Sequence, residues 1–178
     1  MGFIPDGAAV RSSARVRWAM GAITLTVLAA DQVSKSLVLA AHTASVTGPG
    51  WISVRLARNT GASGGIASGY PVLVTLAAIA VTAVAAGFAL HVRGRAAALC
   101  LAAVLGGAAG NLSDRLFRAP GFGRGGVVDW IHFAAAGGGS LDVADLFIQF
   151  GVIAAVIAML VTSRSRHPRQ SPEQPEPR

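Results

Sequence analysis

Apolar residues run almost without interruption through four stretches of the chain, at residues 18–41, 71–90, 96–116 and 141–161. A helix rises about 1.5 Å per residue, so roughly twenty residues cross the hydrocarbon core of a bilayer. The pattern therefore predicts four transmembrane helices. Alanine and glycine are frequent in these stretches, which favours close packing between helices in lipid.

Composition agrees with a membrane protein. Of the 178 residues, 53% are hydrophobic and 13% are charged, and the mean hydropathy is +0.57. In a membrane protein, the formal net charge of +7 indicates the orientation of the helices and contact with anionic lipid headgroups. The sequence shows no basic patch interleaved with aromatic residues, so we expect no nucleic-acid binding. Cys100 is the single cysteine, which excludes an internal disulfide and a cysteine-based metal site.

Arginine residues predict the orientation of the helices. They precede the first stretch, separate the second from the third, and follow the fourth: Arg11, Arg15, Arg17, Arg93, Arg95, Arg164, Arg166, Arg169 and Arg178. An even number of helices places these segments on one side, which the arginines predict to be the cytoplasm, although the opposite loops also contain four arginines. We expect a cytoplasmic segment at residues 1–17, a transmembrane domain at 18–162 and a disordered cytoplasmic tail at 163–178.

The first stretch has an alternative interpretation as a cleavable signal peptide, because basic residues precede it and small residues follow it. Asp31 and Lys35 interrupt this stretch, and its removal would leave an odd number of helices. A first transmembrane helix is the favoured interpretation.

Polar residues in and beside these stretches lie at one predicted depth, near the outer face of the membrane. An ionisable residue inside a membrane helix costs at least about 2.5 kcal/mol and suggests a functional site. Taken singly, each has a structural interpretation, such as an ion pair between Asp31 and Lys35, contact of Arg115 with headgroups or a helix cap at Asp142. Their shared depth instead predicts one site. Its candidates are Asp31, Lys35, Asn59, Asn111, Asp114, Arg115, Asp129, Asp142 and Asp145.

Common motifs for zinc hydrolysis, a nucleophilic serine or phosphate binding are missing from the sequence. His132 has no partner at metal-ligand spacing. We therefore expect neither a metal nor a cofactor.

Five short sequence motifs, called blocks below, are similar to those of a known protein family. In chain order they are DQVSK at Asp31–Lys35, RNTGAS at Arg58–Ser63, GGAAGNLSDRLFRAP at Gly106–Pro120, GGVVDWIHF at Gly125–Phe133 and DVADLFIQFG at Asp142–Gly151. With these blocks the chain resembles lipoprotein signal peptidase (signal peptidase II), a family of aspartyl proteases of the bacterial inner membrane. The resemblance implies an all-α membrane protein of four transmembrane helices with a small extracytoplasmic β-cradle and loop. Residues Gly50–Gly61 alternate partly in polarity, in agreement with a strand of that cradle.

The resemblance also implies a function. It assigns Asp129 and Asp145 as the catalytic pair. It implies substrate-binding or supporting roles for Asp31, Lys35, Asn59, Asn111, Asp114 and Arg115, and we place Asp142 in the same supporting group. The implied substrates are prolipoproteins whose cysteine carries diacylglycerol, and cleavage just before that cysteine releases the signal peptide. The implied location is the bacterial cytoplasmic (inner) membrane, with both termini cytoplasmic and the active site near the outer face. We expect a monomer in contact with membrane lipids.

Asp142 departs from the family pattern, which usually has asparagine at this position. The change places a third carboxylate about one helical turn from Asp145, which tends to raise the pKa of the group of acids. An alternative function is therefore a divergent, non-catalytic paralogue that binds lipoproteins. A proton-coupled transporter would also carry acids, but along a path across the membrane, and the inner halves of the four stretches are apolar.

Overall fold

A computed structural model of the chain describes residues 14–41, 51–133 and 139–165, without the side chain of Ser63. The predicted cytoplasmic segment and the predicted disordered tail lie mostly outside the described residues. The four helices are α1 (Ala14–Ala40), α2 (Pro71–His91), α3 (Arg95–Phe117) and α4 (Val143–Arg164). The three strands are β1 (Ile52–Asn59), β2 (Val127–Phe133) and β3 (Ser140–Leu141).

All four helices are long and apolar enough to cross a membrane. Their bounds agree with the predicted stretches to within four residues at each end. Large apolar side chains such as Leu25, Val84 and Ile157 are exposed on the helix surfaces, which suits contact with lipid rather than water. The predicted four-helix membrane fold is confirmed.

The helix at the centre of the bundle is α3, which packs against α1, α2 and α4. Glycines make these contacts close. A Cβ atom on Gly106 would lie 2.6 Å from the Cβ of Val27 in α1, and one on Gly107 would lie 2.5 Å from the carbonyl oxygen of Ala144 in α4. Small residues thus let the backbones approach, as is usual between membrane helices.

The two ends of the bundle differ in character. At one end Val16, Ala89, Val92, Ala98 and Met159 pack in a single apolar cluster, so the starts of α1 and α3 meet the ends of α2 and α4. We call this the arginine end, because Arg93 and Arg95 lie there. The last turns of α1 and α3 and the first turn of α4 form the opposite end, which we call the acidic end.

A three-stranded antiparallel sheet in the order β1-β2-β3 covers the acidic end. In β1 and β2, Ile52 pairs with Phe133 and Asn59 pairs with Val127. The backbone N–H of Val128 donates to Asp114 Oδ2 at 3.1 Å, which ties the sheet to α3. This sheet is the predicted β-cradle, and it places Asp129 of β2 over the helix ends.

Candidate active site

Lys35 is the centre of a buried ionic network at the acidic end. Its Nζ atom lies 2.8 Å from Asp31 Oδ2, 3.0 Å from Asp114 Oδ2 and 2.7 Å from Asp142 Oδ2. All four side chains are fully buried. Ions at this depth are tolerated only when they are paired and hydrogen-bonded. The expected pair of Asp31 and Lys35 therefore exists, as part of a larger unit.

Two hydrogen bonds connect this network to Asp145. Asp142 caps α4, because its Oδ1 accepts a hydrogen bond from the backbone N–H of Asp145 at 2.8 Å. Asn111 accepts from Lys35 Nζ at 2.9 Å and donates from Nδ2 to Asp145 Oδ1 at 3.0 Å. Lys35 thus positions the backbone of Asp145 through Asp142 and the side chain of Asp145 through Asn111.

Arg115 joins the network of α3 to the loop that follows β1. Its Nη2 donates to the carbonyl oxygen of Gly61 at 2.6 Å, and the N–H of Gly61 donates to Asn59 Oδ1 at 3.0 Å. The side chain is 7% exposed, so the interpretation of Arg115 as a headgroup contact is wrong. Within the described residues, the buried Nη1 of Arg115 has no hydrogen-bond acceptor.

Asp129 meets two acids of α4 across the interface between sheet and helices. One carboxylate oxygen from each of Asp129, Asp142 and Asp145 lies within 4.8 Å of the others. Asp129 is 4% exposed, and within the described residues its Oδ1 has no hydrogen-bond donor. Burial, followed by the negative charges of Asp142 and Asp145, raises the pKa of Asp129 to about 7. A carboxyl group in this position holds a proton near neutral pH.

These residues enclose a polar cavity of about 170 Å³. Five of the nine candidates line it: Asn59, Asn111, Arg115, Asp129 and Asp145. The other four stand behind the cavity as the ionic network of Asp31, Lys35, Asp114 and Asp142. A water molecule takes about 30 Å³ in the liquid, so the cavity is large enough for a small cluster of waters or a segment of peptide backbone.

Sequence reasoning missed three polar residues of the site. Gln149 lines the cavity, one helical turn after Asp145. Gln32 donates to Asp31 Oδ2 and to Asp114 Oδ1, each at 3.1 Å, and Arg118 forms an ion pair with Asp114. The spacing of four residues between Asp145 and Gln149, and between Asp114 and Arg118, was the available signal.

Chemically, the arrangement offers two acids that can bracket a water molecule, with a donor from Arg115 beside them. The three carboxylate oxygens are also close enough to hold a cation. Lys35 already lies 2.7 Å from Asp142 Oδ2 and supplies a positive charge there. The absence of a metal from the reaction remains a prediction.

A family profile described as signal peptidase (SPase) II matches residues 23–161. The chain belongs to the signal peptidase II family. Members of this family are proteases that process the signal peptides of lipoproteins. With four apolar helices, the chain is a multi-pass membrane protein, and the resemblance carried by its five blocks is confirmed.

Several lipoprotein signal peptidases are similar in sequence. The protein of Bifidobacterium adolescentis is 34% identical over 143 residues, which are 78% of this chain and 74% of that protein. The protein of Rhodococcus jostii is 39% identical over 140 residues, or 76% and 69% of the two chains. The protein of Streptomyces coelicolor is 40% identical over 110 residues, or 60% of this chain and 52% of that protein. The match thus spans about half of the Streptomyces protein.

Two solved structures share the fold. A bacterial membrane enzyme determined by the in meso method at 2.3 Å resolution superposes with a TM-score of 0.71 at 23% identity, over 85% of this chain and 93% of that one. Another, at 1.9 Å resolution, gives a TM-score of 0.64 at 26% identity, over 79% and 92% of the two chains.

Proposed function

We propose that this member of the signal peptidase II family is an aspartyl endopeptidase. It removes the signal peptide from diacylglyceryl-modified prolipoproteins by cleaving before the lipidated cysteine. One observation carries the proposal: Asp129 and Asp145, from the sheet and from α4, present carboxylate oxygens within 4.8 Å of each other at a polar cavity. A water between them can make a hydrogen bond of about 2.7 Å to each.

The reaction needs one proton on this pair of acids. The ionised carboxylate takes a proton from the water, whose oxygen attacks the peptide carbonyl carbon, while the protonated carboxyl donates to the carbonyl oxygen. The carboxyl that took the water proton then donates it to the amide nitrogen, the C–N bond breaks, and the other carboxylate takes back a proton from a hydroxyl of the tetrahedral intermediate, which restores the pair. Like charges this close do not both ionise easily, and the raised pKa of Asp129 agrees with a shared proton. The pair titrates as a unit, so the two roles are not divided between the acids.

Neighbouring polar groups support the pair. The buried Nη1 of Arg115 is a donor for a substrate carbonyl oxygen or for the charge that develops on it. Asn111 fixes Asp145 through a hydrogen bond of 3.0 Å, and Asn59 shapes the loop at Gly61 through a bond of 3.0 Å. Asp31, Lys35, Asp114 and Asp142 hold these groups in place from behind.

The position of the site suits a lipidated substrate. In the proposed topology both termini are cytoplasmic and the acidic end faces outward, as the arginines at the opposite end support. A diacylglyceryl group embedded in the outer leaflet then keeps the scissile bond near headgroup depth, where the two acids lie.

Cleavage of a diacylglyceryl-modified lipobox peptide by the purified full-length protein tests this proposal. We expect Asp129→Asn and Asp145→Asn each to abolish cleavage while the protein still accumulates and melts as a folded protein. Arg124→Gln, at an exposed arginine outside the cavity, is the matched control and should cleave normally. Unchanged turnover by either aspartate variant would remove this mechanism.

A non-catalytic paralogue that binds lipoproteins is the second candidate, and Asp142 is the observation that favours it. The same assay separates the two functions. If the wild-type chain binds the lipidated peptide but does not cleave it anywhere between pH 5 and pH 8, the non-catalytic paralogue is established and the peptidase is rejected.

A further inference from the structure

The two ends of the bundle carry different charges. Within the described ranges all five acids lie at the acidic end: Asp31, Asp114, Asp129, Asp142 and Asp145. The arginine end has five described arginines, Arg15, Arg17, Arg93, Arg95 and Arg164, and no described acid. Even with Arg17 left out of the count, the four other arginines make this end attractive to anions.

A crevice opens at the arginine end between the last turns of α2 and α4. Its volume is about 390 Å³, within the range of about 300 to 1,000 Å³ that is common for small-molecule sites. Phe88, Val92 and Met159 give it apolar walls, and four polar residues complete the lining: His91, Arg93, Thr162 and Ser163. A Cβ atom on Gly94 would lie 3.5 Å from Thr162 Oγ1, so the turn between α2 and α3 approaches α4 beside the crevice.

Most polar donors of this crevice are already engaged by the helices. Thr162 Oγ1 donates to the carbonyl oxygen of Ala158, and Ser163 Oγ donates to that of Leu160, both at 2.8 Å. His91 Nδ1 donates to the carbonyl oxygen of Gly87 at 2.7 Å. Among the lining residues, the exposed guanidinium of Arg93 is therefore the group best able to bind an anion. Guanidinium groups bind phosphate oxygens through paired N–H donors.

We propose that this crevice binds one membrane phospholipid with an anionic headgroup. An acyl chain lies against Phe88, Val92 and Met159, and the phosphate receives hydrogen bonds from Arg93. The combination of an apolar wall with a basic rim fits an anionic lipid, because only such a ligand makes favourable contacts with both. A free anion would leave the apolar wall uncovered, and an uncharged lipid would not pair with the arginine. Basic pockets between helices at membrane depth recognise anionic headgroups in this way.

Binding to the full-length protein in an uncharged detergent tests the proposal. The probes are phosphatidylglycerol and phosphatidylcholine with identical acyl chains, and glycerol 3-phosphate as the headgroup without a chain. Native mass spectrometry counts bound lipids, and the shift of the melting temperature with lipid concentration gives affinity. We expect one phosphatidylglycerol per protein, bound at least about fivefold more tightly than phosphatidylcholine, since each basic residue near an anionic headgroup is worth about that factor.

Variants then locate the site. Arg93→Gln should weaken phosphatidylglycerol binding about fivefold, and Arg93→Lys should restore part of the loss. Arg124→Gln, an exposed arginine outside the arginine end, is the matched control and should bind as wild type. Equal affinity for the two lipids would overturn the proposal, and so would equal losses in Arg93→Gln and Arg124→Gln. Binding of glycerol 3-phosphate as tight as that of the lipid would show an anion site instead of a lipid site.

Discussion

The Nζ atom of Lys35 lies 2.7 Å from Asp142 Oδ2, and both side chains are fully buried. The family resemblance implies asparagine at the position of Asp142. Here the extra carboxylate sits against the one lysine of the sequence, which also contacts Asp31 and Asp114. The added carboxylate therefore has a cation beside it, which it shares with Asp31 and Asp114, and Asp142 still accepts the hydrogen bond that caps α4.

Replacing Lys35 with methionine should destabilise the protein strongly. The change keeps a long side chain but leaves Asp31, Asp114 and Asp142 without their shared cation. Removal of one partner from a buried ionic group costs about 3 to 5 kcal/mol, and we expect a loss of that size in denaturant unfolding in detergent. Arg124→Gln, which removes an exposed positive charge, is the control. A loss below about 0.5 kcal/mol for Lys35→Met would show that the network is not needed for stability.

The variant Asp142→Asn should keep its activity or gain some. The asparagine Oδ1 can still accept from the N–H of Asp145 and cap α4. Loss of the charge lowers the raised pKa of Asp129, so the variants are compared at about pH 5, where the pair keeps its proton in both proteins. Asp142→Ala is the comparison, because it removes the cap at a cost of about 1 kcal/mol. The measurements are kcat/KM on the lipidated peptide and the melting temperature of each variant. Complete loss of cleavage in Asp142→Asn would give Asp142 a role of its own.

The four helices could be predicted because hydropathy over twenty residues is a strong signal that does not depend on tertiary contacts. The depth of the polar residues followed from the order of the helices. Pairs within one helix, such as Asp31 with Lys35, followed from a spacing of four residues. The structure confirms the four helices and the pair of Asp31 and Lys35, and it places the polar residues at one end of the bundle; their depth in the membrane stays a prediction.

Contacts between distant parts of the chain could not be predicted in the same way. Local spacing pairs Lys35 with Asp31 but says nothing about which distant acids meet it, and Asp142 is its closest partner although 107 positions separate them. Arg115 was open to a headgroup interpretation, because its partner Gly61 lies in a loop whose position is set by the sheet. The approach of Asp129 to Asp145 came from the family resemblance, since local spacing places them only at a similar depth.

Activity should fall as pH rises through about 7. The reaction needs one proton on the pair of acids, and burial raises the pKa of Asp129 to about 7. Above that pH the pair loses its shared proton. The profile of kcat/KM between pH 5 and 9 measures this, and we expect the upper limb to shift to lower pH in Asp142→Asn. If the upper limb of the Asp142→Asn profile lies at the same pH as that of wild type, the charge of Asp142 does not raise the pKa of the pair.

The proton on Asp129 also makes the stability of the folded protein depend on pH. Asp129 ionises near 3.8 in an unfolded chain and near 7 in the folded one, so between these values the folded state binds more protons. Its contribution to stability is complete below about pH 4 and is lost as pH rises through 7. We therefore expect Asp129→Asn to raise the melting temperature relative to wild type more at pH 8 than at pH 5. An equal difference at the two pH values would argue against a protonated Asp129.

Removal of divalent cations should leave cleavage unchanged. The ammonium of Lys35 already lies against Asp142 Oδ2, and the two remaining acids are expected to share a proton rather than a metal. Turnover of the lipidated peptide before and after treatment with EDTA, followed by passage over a chelating resin, measures this. Loss of activity that magnesium, manganese or zinc restores would mean that the three carboxylates hold a catalytic ion.

A methyl group added at Gly107 should impair both packing and catalysis. The new Cβ atom would lie 2.5 Å from the carbonyl oxygen of Ala144 and 3.0 Å from Ile148 Cγ1, so α4 must move at the turn that carries Asp145. Overpacking of this kind costs about 1 to 3 kcal/mol, and Gly107→Ala should lose more turnover than its melting temperature alone explains. Gly87→Ala in α2 is the matched control, because a Cβ atom there meets nothing within 4 Å. If both variants unfold and cleave alike, the close approach of α3 and α4 does not set the position of Asp145.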